Sequence, residues 1–423
     1  METGLATMTP DVSIILATFN RREITCRTLE KLFGPCAPTV PYEVLVVDNA
    51  STDGTAEAIR ASFSQVRLIS APRNLGSCAK SLAVDPAGGR YILFLDDDSY
   101  PRPGSVERMI RQFDNHPRLG AAGFRVHLPD GRQECSAFPD VFVGCGVGFR
   151  ADALREVGGL DPTLFMQAEE YDLSFRLVNA GWQVRTFGDL HVEHLKTPLS
   201  RRSERTVYYD IRNNLIVAAR YLPDDALDLY RHDWLLRYGW LAAADRRWRP
   251  YWRGAVAGWL AGLSDRPKYA RRRLSQPAFE TLFRWDQVAA HLQDLAAAGA
   301  RRIILADWGK NVLAFYLGAK LAGLTIQAIG DDHFTRPNRH YRNLPILTLD
   351  QALNQPCDAV VVANTSPVHA QRTRDRLANL TPLPVHCWFA ADSQIHHQPN
   401  QNSPRPAPTT TDKTLEGVVT VVG

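Results

Sequence analysis

The chain has 423 residues, enough for two or three domains that each bury a core, and 45% hydrophobic with 22% charged residues is an ordinary globular composition. A formal net charge of +4 is too small to imply nucleic acid as a partner. Seven cysteines, odd in number and without a CxxC, fit neither a zinc site nor a disulfide framework and favour a reducing cytosol.

The first residues, METGLATMTPDVS, lack a basic n-region and an apolar h-region, so no signal peptide is expected. Val12 to Thr18 (VSIILAT) reads as an apolar strand, and Glu23 to Phe33 has helical spacing at Ile24, Leu29, Leu32 and Phe33. A strand at Tyr42 to Val47, the turn DNASTDGT, a helix from Thr55 to Phe63 and a strand at Val66 to Ser70 follow. PRNLGSC then leads through a further helical stretch into YILFLDDDSYPRP, where Tyr91 to Leu95 is a buried strand closed by Asp96, Asp97 and Asp98. The βαβαβαβ alternation predicts an α/β fold with a parallel sheet covered by helices. Its polar clusters fall at strand C-terminal ends: Thr18 to Arg21 (TFNR), Asp48, Arg73 with Asn74, and the three aspartates. Four strands delivering polar residues to one rim is how a doubly wound nucleotide site is built. An isolated Asp triplet is more often a solvated turn, and the company of the other rim residues is what points to a bound ligand and cation.

After Arg118 the character changes. Phe138 to Arg150 (FPDVFVGCGVGFR) is Gly-rich and strand-like, Val157 to Asp161 is a turn, and Phe165 to Gly181 is an amphipathic helix opened by Glu169, Glu170 and Asp172. Capping and dipole pairing account for one or two of these acids and leave the others for chemistry. Val184 to Glu193 is expected as a strand, before His194, the basic run SRRSER and a helix containing YYDIRNN.

Pro223 to Phe283 is helical and rich in Trp (Trp234, Trp240, Trp248, Trp252, Trp259) and Arg (Arg246, Arg247, Arg249, Arg253, Arg271 to Arg273). Such a mixture suits either a membrane interface with anionic headgroups or a core-packed helical subdomain. Its longest membrane-like run, Gly254 to Leu263, is about half of the roughly 20 residues a spanning helix needs, so an integral protein is not expected. A helix at Asp286 to Ala298 and strands at Arg302 to Ala306 and Ala359 to Ala363 open a second α/β unit that resembles a Rossmann half, although Gly309 and Gly318 do not make GxGxxG. The Pro-rich tail from Ser393 is expected to be disordered. The domain boundaries drawn from this reading are 11–222, 223–285, 286–392 and 393–423.

A sugar on a nucleoside diphosphate matches the rim chemically. Its departing phosphates call for a divalent cation held by Asp96 and Asp98, with a neighbouring carboxylate for the ribose hydroxyls. Asp48 would accept from a uracil or thymine ring nitrogen, and Arg73 would meet a phosphate bidentately. An acceptor hydroxyl needs a base, for which Glu170 or Asp172 are the candidates.

TFNR, VVDNASTDGT, RNLG, FLDDDSYP, VGGLDPTLF, AEEYDLSFRLVNAGW and a His before RNN occur in the order and spacing of the family 2 inverting glycosyltransferases of GT-A fold. The chain resembles that family over Asp11 to Leu222. The resemblance implies that Thr18 and Asp48, with Asn20 and Arg21 beside them, face the nucleotide, and that Asp96, Asp97 and Asp98 hold ribose and a manganese or magnesium ion. It also makes the helix-start acid the base. Where the family has Glu-Asp this chain has Glu-Glu, which puts Glu170 in the base position with an extra methylene and leaves Asp172 as the alternative. His194 falls where many relatives have a His that completes the metal site, with His191 as its competitor. Arg212 and Asn213 match a pair expected to pack the helix on the site or to bind phosphate.

The expectation is a metal-dependent inverting glycosyltransferase of the cytoplasm, peripheral at the inner membrane face. It would move a hexosyl or deoxyhexosyl group from a UDP- or dTDP-linked donor to a hydroxyl of a glycan or lipid-linked acceptor in cell-envelope polysaccharide synthesis. One rival is a nucleotidyltransferase, which needs a Gly-rich phosphate loop that ILATFNRRE lacks. The other is a non-catalytic nucleotide-sugar-binding protein, against which the complete set of carboxylates and His194 speaks.

Overall fold

Apolar runs at strand spacing, separated by short amphipathic helices, build the first half of the sheet. The computed structural model describes residues 9–196 and 203–389; the first eight residues, Arg201 and Arg202 of the basic run, and the tail from Ser393 lie outside them. In chain order the elements are β1 (Val12–Thr18), α1 (Arg22–Leu32), β2 (Tyr42–Asp48), α2 (Thr55–Ser62), β3 (Val66–Ser70), a 3-10 helix at Gly76–Ala83, and β4 (Tyr91–Phe94). β3, β2, β1 and β4 lie side by side and parallel, and their register puts Thr18 opposite Asp48 and Asp48 opposite Ser70. Central strands covered on both faces have no polar side to spare, and Ile14, Ile15, Leu16, Val44 to Val47, Ile92 and Leu93 are all buried.

The parallel arrangement expected of the first four strands, and found there, does not continue beyond them. The second half comprises β5 (Ser99–Pro101), α3 (Ser105–Asn115), β6 (Leu119–His127), β7 (Gln133–Glu134), β8 (Val147–Arg150), α4 (Ala151–Val157), α5 (Glu169–Asn179) and β9 (Gln183–His194). β8 inserts antiparallel between β4 and β6, β9 runs parallel to β6, and β5 pairs antiparallel with β9. Of the strand-like stretch Phe138 to Arg150 only Val147–Arg150 is a strand, because the chain turns at Gly146 with φ 78°. A Cβ on Gly148 would lie 2.1 Å from the Met109 sulfur, so this strand approaches α3 more closely than any side chain permits.

The helical stretch after residue 222 is divided between two compact units. α6 (Glu204–Tyr221) and α8 (Trp248–Lys268) belong with the sheet just described, whereas α7 (Asp224–Ala244) and α9 (Gln276–Phe283) belong to the second unit. Glycine brings α8 onto α6: a Cβ would come within 2.5 Å of the Tyr208 carbonyl at Gly254 and of the Arg212 carbonyl at Gly258. The contact is locked by Arg220, 2.8 Å from Asp265, and by Arg266 donating to the Ala219 carbonyl at 2.8 Å.

The second unit continues with α10 (Trp285–Ala297), β10 (Arg302–Ala306), α11 (Val312–Leu321), β11 (Thr325–Gly330), β12 (His340–Tyr341), β13 (Leu344–Leu347), α12 (Leu349–Leu353), β14 (Ala359–Val362), α13 (Pro367–Leu377) and β15 (Val385–His386). Its sheet runs β12-β13-β11-β10-β14-β15, parallel except at β12 and β13. Gly309 is there for a loop contact, since a Cβ would meet the Ala363 carbonyl at 2.8 Å. The Asp331 carboxylate accepts the amides of Trp308, His333 and Phe334, which closes these rim loops on one another.

Replacing Gly258 by Ala adds a methyl where no space exists. Overpacking of this kind costs about 1–3 kcal/mol. We expect the urea unfolding midpoint, followed by circular dichroism, to fall accordingly.

Candidate active site

The three aspartates sit where β4 leaves the sheet, and three cations from distant parts of the chain converge on them. Lys80, on the 3-10 helix, reaches Asp96 Oδ1 at 2.5 Å and also donates to the Gly144 carbonyl at 3.1 Å. Arg21, just after β1, contacts Asp97 Oδ1 at 3.0 Å and Asp98 Oδ2 at 2.7 Å. His194 is delivered by strand register: the β5–β9 pairing sets it opposite Ser99, and the Leu195 amide donates to the Asp98 carbonyl at 2.9 Å. Its Nε2 lies 3.1 Å from Asp98 Oδ1 and 3.8 Å from Asp96 Oδ2, while Nδ1 lies 3.1 Å from Glu134 Oε2. Cys145 completes the cluster; ligand atoms of Asp96, Cys145 and His194 all fall within 4.8 Å of one another. His191 is elsewhere, its Nδ1 3.0 Å from His127 Nε2.

The electrostatics follow from these contacts. Burial works against ionisation of all three acids, but it is overcome at Asp96 by Lys80 and then His194, and at Asp98 by His194 and then Arg21, so both carboxyls lie below the usual carboxylate range. At Asp97 burial wins despite Arg21, and the group is pushed up to about 7. Burial opposes the charge of His194 as well, yet its hydrogen bond to Asp98, with Cys145 and Asp96 close by, raises it to about 10. Two ionised carboxylates and an imidazole therefore share one small volume.

Around this cluster the rim loops are tied to each other. Thr18 is buried, 2.7 Å from the Thr25 hydroxyl, and the Asp48 carboxylate accepts the Ser51 amide at 3.2 Å. Asn20, at φ 53°, accepts the Thr52 amide at 2.7 Å. Asn49 accepts the Leu75 amide at 2.7 Å and donates to the Gly76 carbonyl at 2.9 Å, joining the end of β2 to the RNLG turn. Arg73 in that turn is exposed. A Cβ at Gly76, where φ is 67°, would sit 2.0 Å from the Phe165 carbonyl, so glycine lets this turn touch the loop that precedes α5.

That loop explains why α5 starts at Glu169 and not at Phe165. Phe165, Gln167 and Ala168 all have positive φ, and Asn213 on α6 holds the turn by donating to the carbonyls of Leu164, Met166 and Gln167 at 2.7–2.8 Å. Arg212 donates to the neighbouring Thr163 carbonyl at 3.1 Å. The acids that follow have different surroundings. Glu169 is buried with Oε1 2.5 Å from the Ser77 hydroxyl, and burial raises it above the usual range. Glu170 is half-buried on the first helical turn. Asp172 is buried and committed to the fold: Oδ2 accepts from Arg176 at 2.6 Å, and Oδ1 accepts from the Tyr221 hydroxyl at 2.7 Å and from Arg220 at 3.3 Å.

Residues 13–139 match the family model described as "Glycosyl transferase family 2". That segment matches a family 2 glycosyltransferase domain, and the unit it contributes to is mixed α/β. Over 107 residues the chain is 36% identical to the succinoglycan biosynthesis protein ExoO of Rhizobium meliloti, covering 25% of this chain and 30% of that protein. Over 192 residues it is 28% identical to the N-acetylglucosaminyl-diphospho-decaprenol L-rhamnosyltransferase of Mycobacterium tuberculosis, covering 34% and 62%. The chain thus spans less than two thirds of either relative. Among solved structures it aligns with a mannosyltransferase of Pyrobaculum calidifontis in complex with GDP-Man and Mn2+, at TM-score 0.43 and 18% identity, covering 61% of this chain and 87% of that one.

Within the glycosyltransferase domain and the segment after it, Lys80, Glu134, Cys145 and Ser77 join the site without any sequence motif. Lys80 lies in an Ala/Ser-rich helix, and Glu134 in an irregular hairpin; only their contacts reveal them. The commitment of Asp172 to two arginines and a tyrosine gives a direct expectation. Asp172→Asn removes the carboxylate that pairs with the buried Arg176, while Arg220 keeps Asp161 and Asp265, each at 2.8 Å. The loss of the Arg176 counter-charge should cost about 3 kcal/mol in chemical denaturation.

Proposed function

We propose that the chain transfers a sugar from a nucleoside-diphosphate donor, UDP- or dTDP-linked, to a hydroxyl of a glycan or lipid-linked acceptor, with inversion at the anomeric carbon. The observation that carries this reading is the convergence of Asp96, Asp98 and His194 at the rim of a sheet that matches a family 2 glycosyltransferase domain, with a half-buried acid, Glu170, in the first turn of α5.

Each residue has a part to play. Thr18, Asn20 and Asp48 line the rim loops that receive base and ribose, with Asp97 behind them. Arg21, whose side chain is 39% exposed, is the rim cation that meets the diphosphate, with Arg73 on the facing turn. The donor set fits a divalent cation: two carboxylates held ionised and an imidazole whose proton a metal would displace. Asp96, Asp98 and His194 would hold it, and a bound Mn2+ or Mg2+ would neutralise charge on the departing diphosphate.

Glu170 acts as the base. Its carboxylate takes the acceptor's hydroxyl proton as the alcohol oxygen bonds to the anomeric carbon from the side opposite the leaving diphosphate, and single displacement inverts the centre. Glu169 and Asp172 are unsuited, the first because burial disfavours its charge and the second because its oxygens are taken by Arg176, Arg220 and Tyr221. The Mycobacterium relative is named for transfer to a sugar on a diphospho-decaprenol, and a lipid-linked acceptor of that class is the one assigned here.

A panel of nucleotide sugars with Mn2+ and lipid-linked acceptors should release nucleoside diphosphate and give an inverted linkage by NMR. Release of pyrophosphate, or no turnover with any donor, would sink the reading. Glu170→Gln should lower kcat by about 10²–10⁴-fold, the usual worth of a general base, with donor binding and the unfolding midpoint unchanged. Asp98→Ala should abolish both transfer and Mn2+ binding measured by calorimetry; unaltered Mn2+ affinity would refute the metal assignment.

A further inference from the structure

Six large apolar side chains on α8 are open to solvent: Trp248 at 46%, Trp252 at 59%, Val256 at 56%, Trp259 at 42%, Leu260 at 61% and Leu263 at 54%. At about 100° per residue they occupy one arc of roughly 120° around the helix. The opposite side carries Pro250, Tyr251, Gly254, Ala255, Gly258 and Gly262, all buried. Scattered apolar residues need no explanation, but a continuous stripe about four turns long does.

Charge says what covers it. Arg249 and Arg253 are exposed at the edge of the arc, Lys268 is exposed at the last position of the helix, and Arg246, Arg271 and Arg272 are exposed beyond its two ends. No acid lies in the arc; the one acidic residue of α8, Asp265, is on the other side, 2.8 Å from Arg220. Among the described residues no helix is long and apolar enough to cross a membrane. Asp245, exposed next to Arg246, is the acid at the N-terminal flank, and the cations outnumber it. Tryptophan beside leucine and valine with a mainly cationic border matches a helix lying in the headgroup layer.

We propose that this face of α8 docks the glycosyltransferase unit flat on a bilayer surface bearing anionic headgroups. The inference rests on the lipid-linked acceptor reading for its purpose, and it names the helix face that brings the enzyme to such an acceptor. α8 packs through Gly254 and Gly258 on α6, and Asn213 of α6 holds the loop that leads into Glu170. The docking helix is thus one helix removed from the acceptor side of the site.

The full chain is sedimented with vesicles of phosphatidylcholine, with and without phosphatidylglycerol, at low and high salt. Binding should be about tenfold or more stronger with phosphatidylglycerol and should weaken as salt rises. The surface variant Trp252→Glu/Leu260→Glu should lose about tenfold or more of that binding while keeping its circular dichroism spectrum and its slow release of nucleoside diphosphate from donor into water. Arg249→Gln/Arg253→Gln should lose about thirtyfold on anionic vesicles, from about fivefold per basic residue near a charged surface, and little on phosphatidylcholine. Equal sedimentation of wild type and Trp252→Glu/Leu260→Glu would overturn the proposal. So would self-association on gel filtration that this variant abolishes without any vesicle binding, which would give the face to a second copy. Vesicle binding with no turnover of any donor would sink the transferase reading and leave the docking face standing; turnover without vesicle binding would do the reverse.

Discussion

Three consecutive carboxylates at the mouth of a buried strand constrain everything around them. Such charge persists only where cations reach it, and here they come from three separate places: Arg21 after β1, Lys80 on the 3-10 helix and His194 at the end of β9. Lys80 is itself nearly inaccessible, its side chain 3% exposed, so it depends on Asp96 as its counter-charge, whereas Asp96 is 36% exposed and also faces His194. The antiparallel β5–β9 pairing therefore has a purpose beyond closing the sheet, since its register is what puts an imidazole against Asp98. A one-residue slip would send His194 to the opposite face.

The second constraint is carried by α6. One side of this helix holds the strained turn at Phe165 to Ala168 through the Asn213 amide, and Arg220 and Tyr221, two turns on, clamp Asp172. Three residues with positive φ in a row of four are unfavourable by themselves, and they persist because Asn213 supplies donors to three carbonyls at once. The glycines of α8 let it approach α6 at backbone distance, so the packing of the two helices and the conformation of the turn before α5 are parts of one arrangement.

How much of this was legible beforehand depends on the kind of signal. Strands β1, β2 and β3 are visible as apolar runs ending in polar residues, and the rim alignment of Thr18, Asp48 and the three aspartates follows from parallel pairing alone. The antiparallel insertion of β8 was not visible, because FPDVFVGCGVGFR has strand-like composition throughout and the turn at Gly146 is held by backbone hydrogen bonds to Phe94 of β4 and Phe124 of β6. Lys80, Glu134 and Cys145 were equally silent, since each is far in sequence from what it touches and none stands in a motif. The Trp/Arg composition of residues 223–285 suggested two alternatives, a membrane face or a packed subdomain. The structure divides the stretch, so that Trp234 on α7 is fully buried while Trp252 on α8 is open.

The acids that open α5 show why a motif cannot assign roles unaided. In sequence Glu169, Glu170 and Asp172 are three equivalent candidates for dipole partner, structural anchor or base. Burial separates them. Asp172, at the heart of an Arg176, Arg220 and Tyr221 network, holds the helix in the protein. Glu169, buried against Ser77, ties the helix start to the turn that Gly76 allows so close. Only Glu170 keeps a partly open position, and it is the residue in which the chain departs from the family's aspartate. The added methylene lengthens the reach of the carboxylate by about 1.5 Å, one carbon–carbon bond. A turn pinned by three carbonyl contacts to Asn213 cannot follow freely, so on the proposed reading, with Glu170 as the base, the acceptor hydroxyl would sit farther from the α5 backbone than where an aspartate serves.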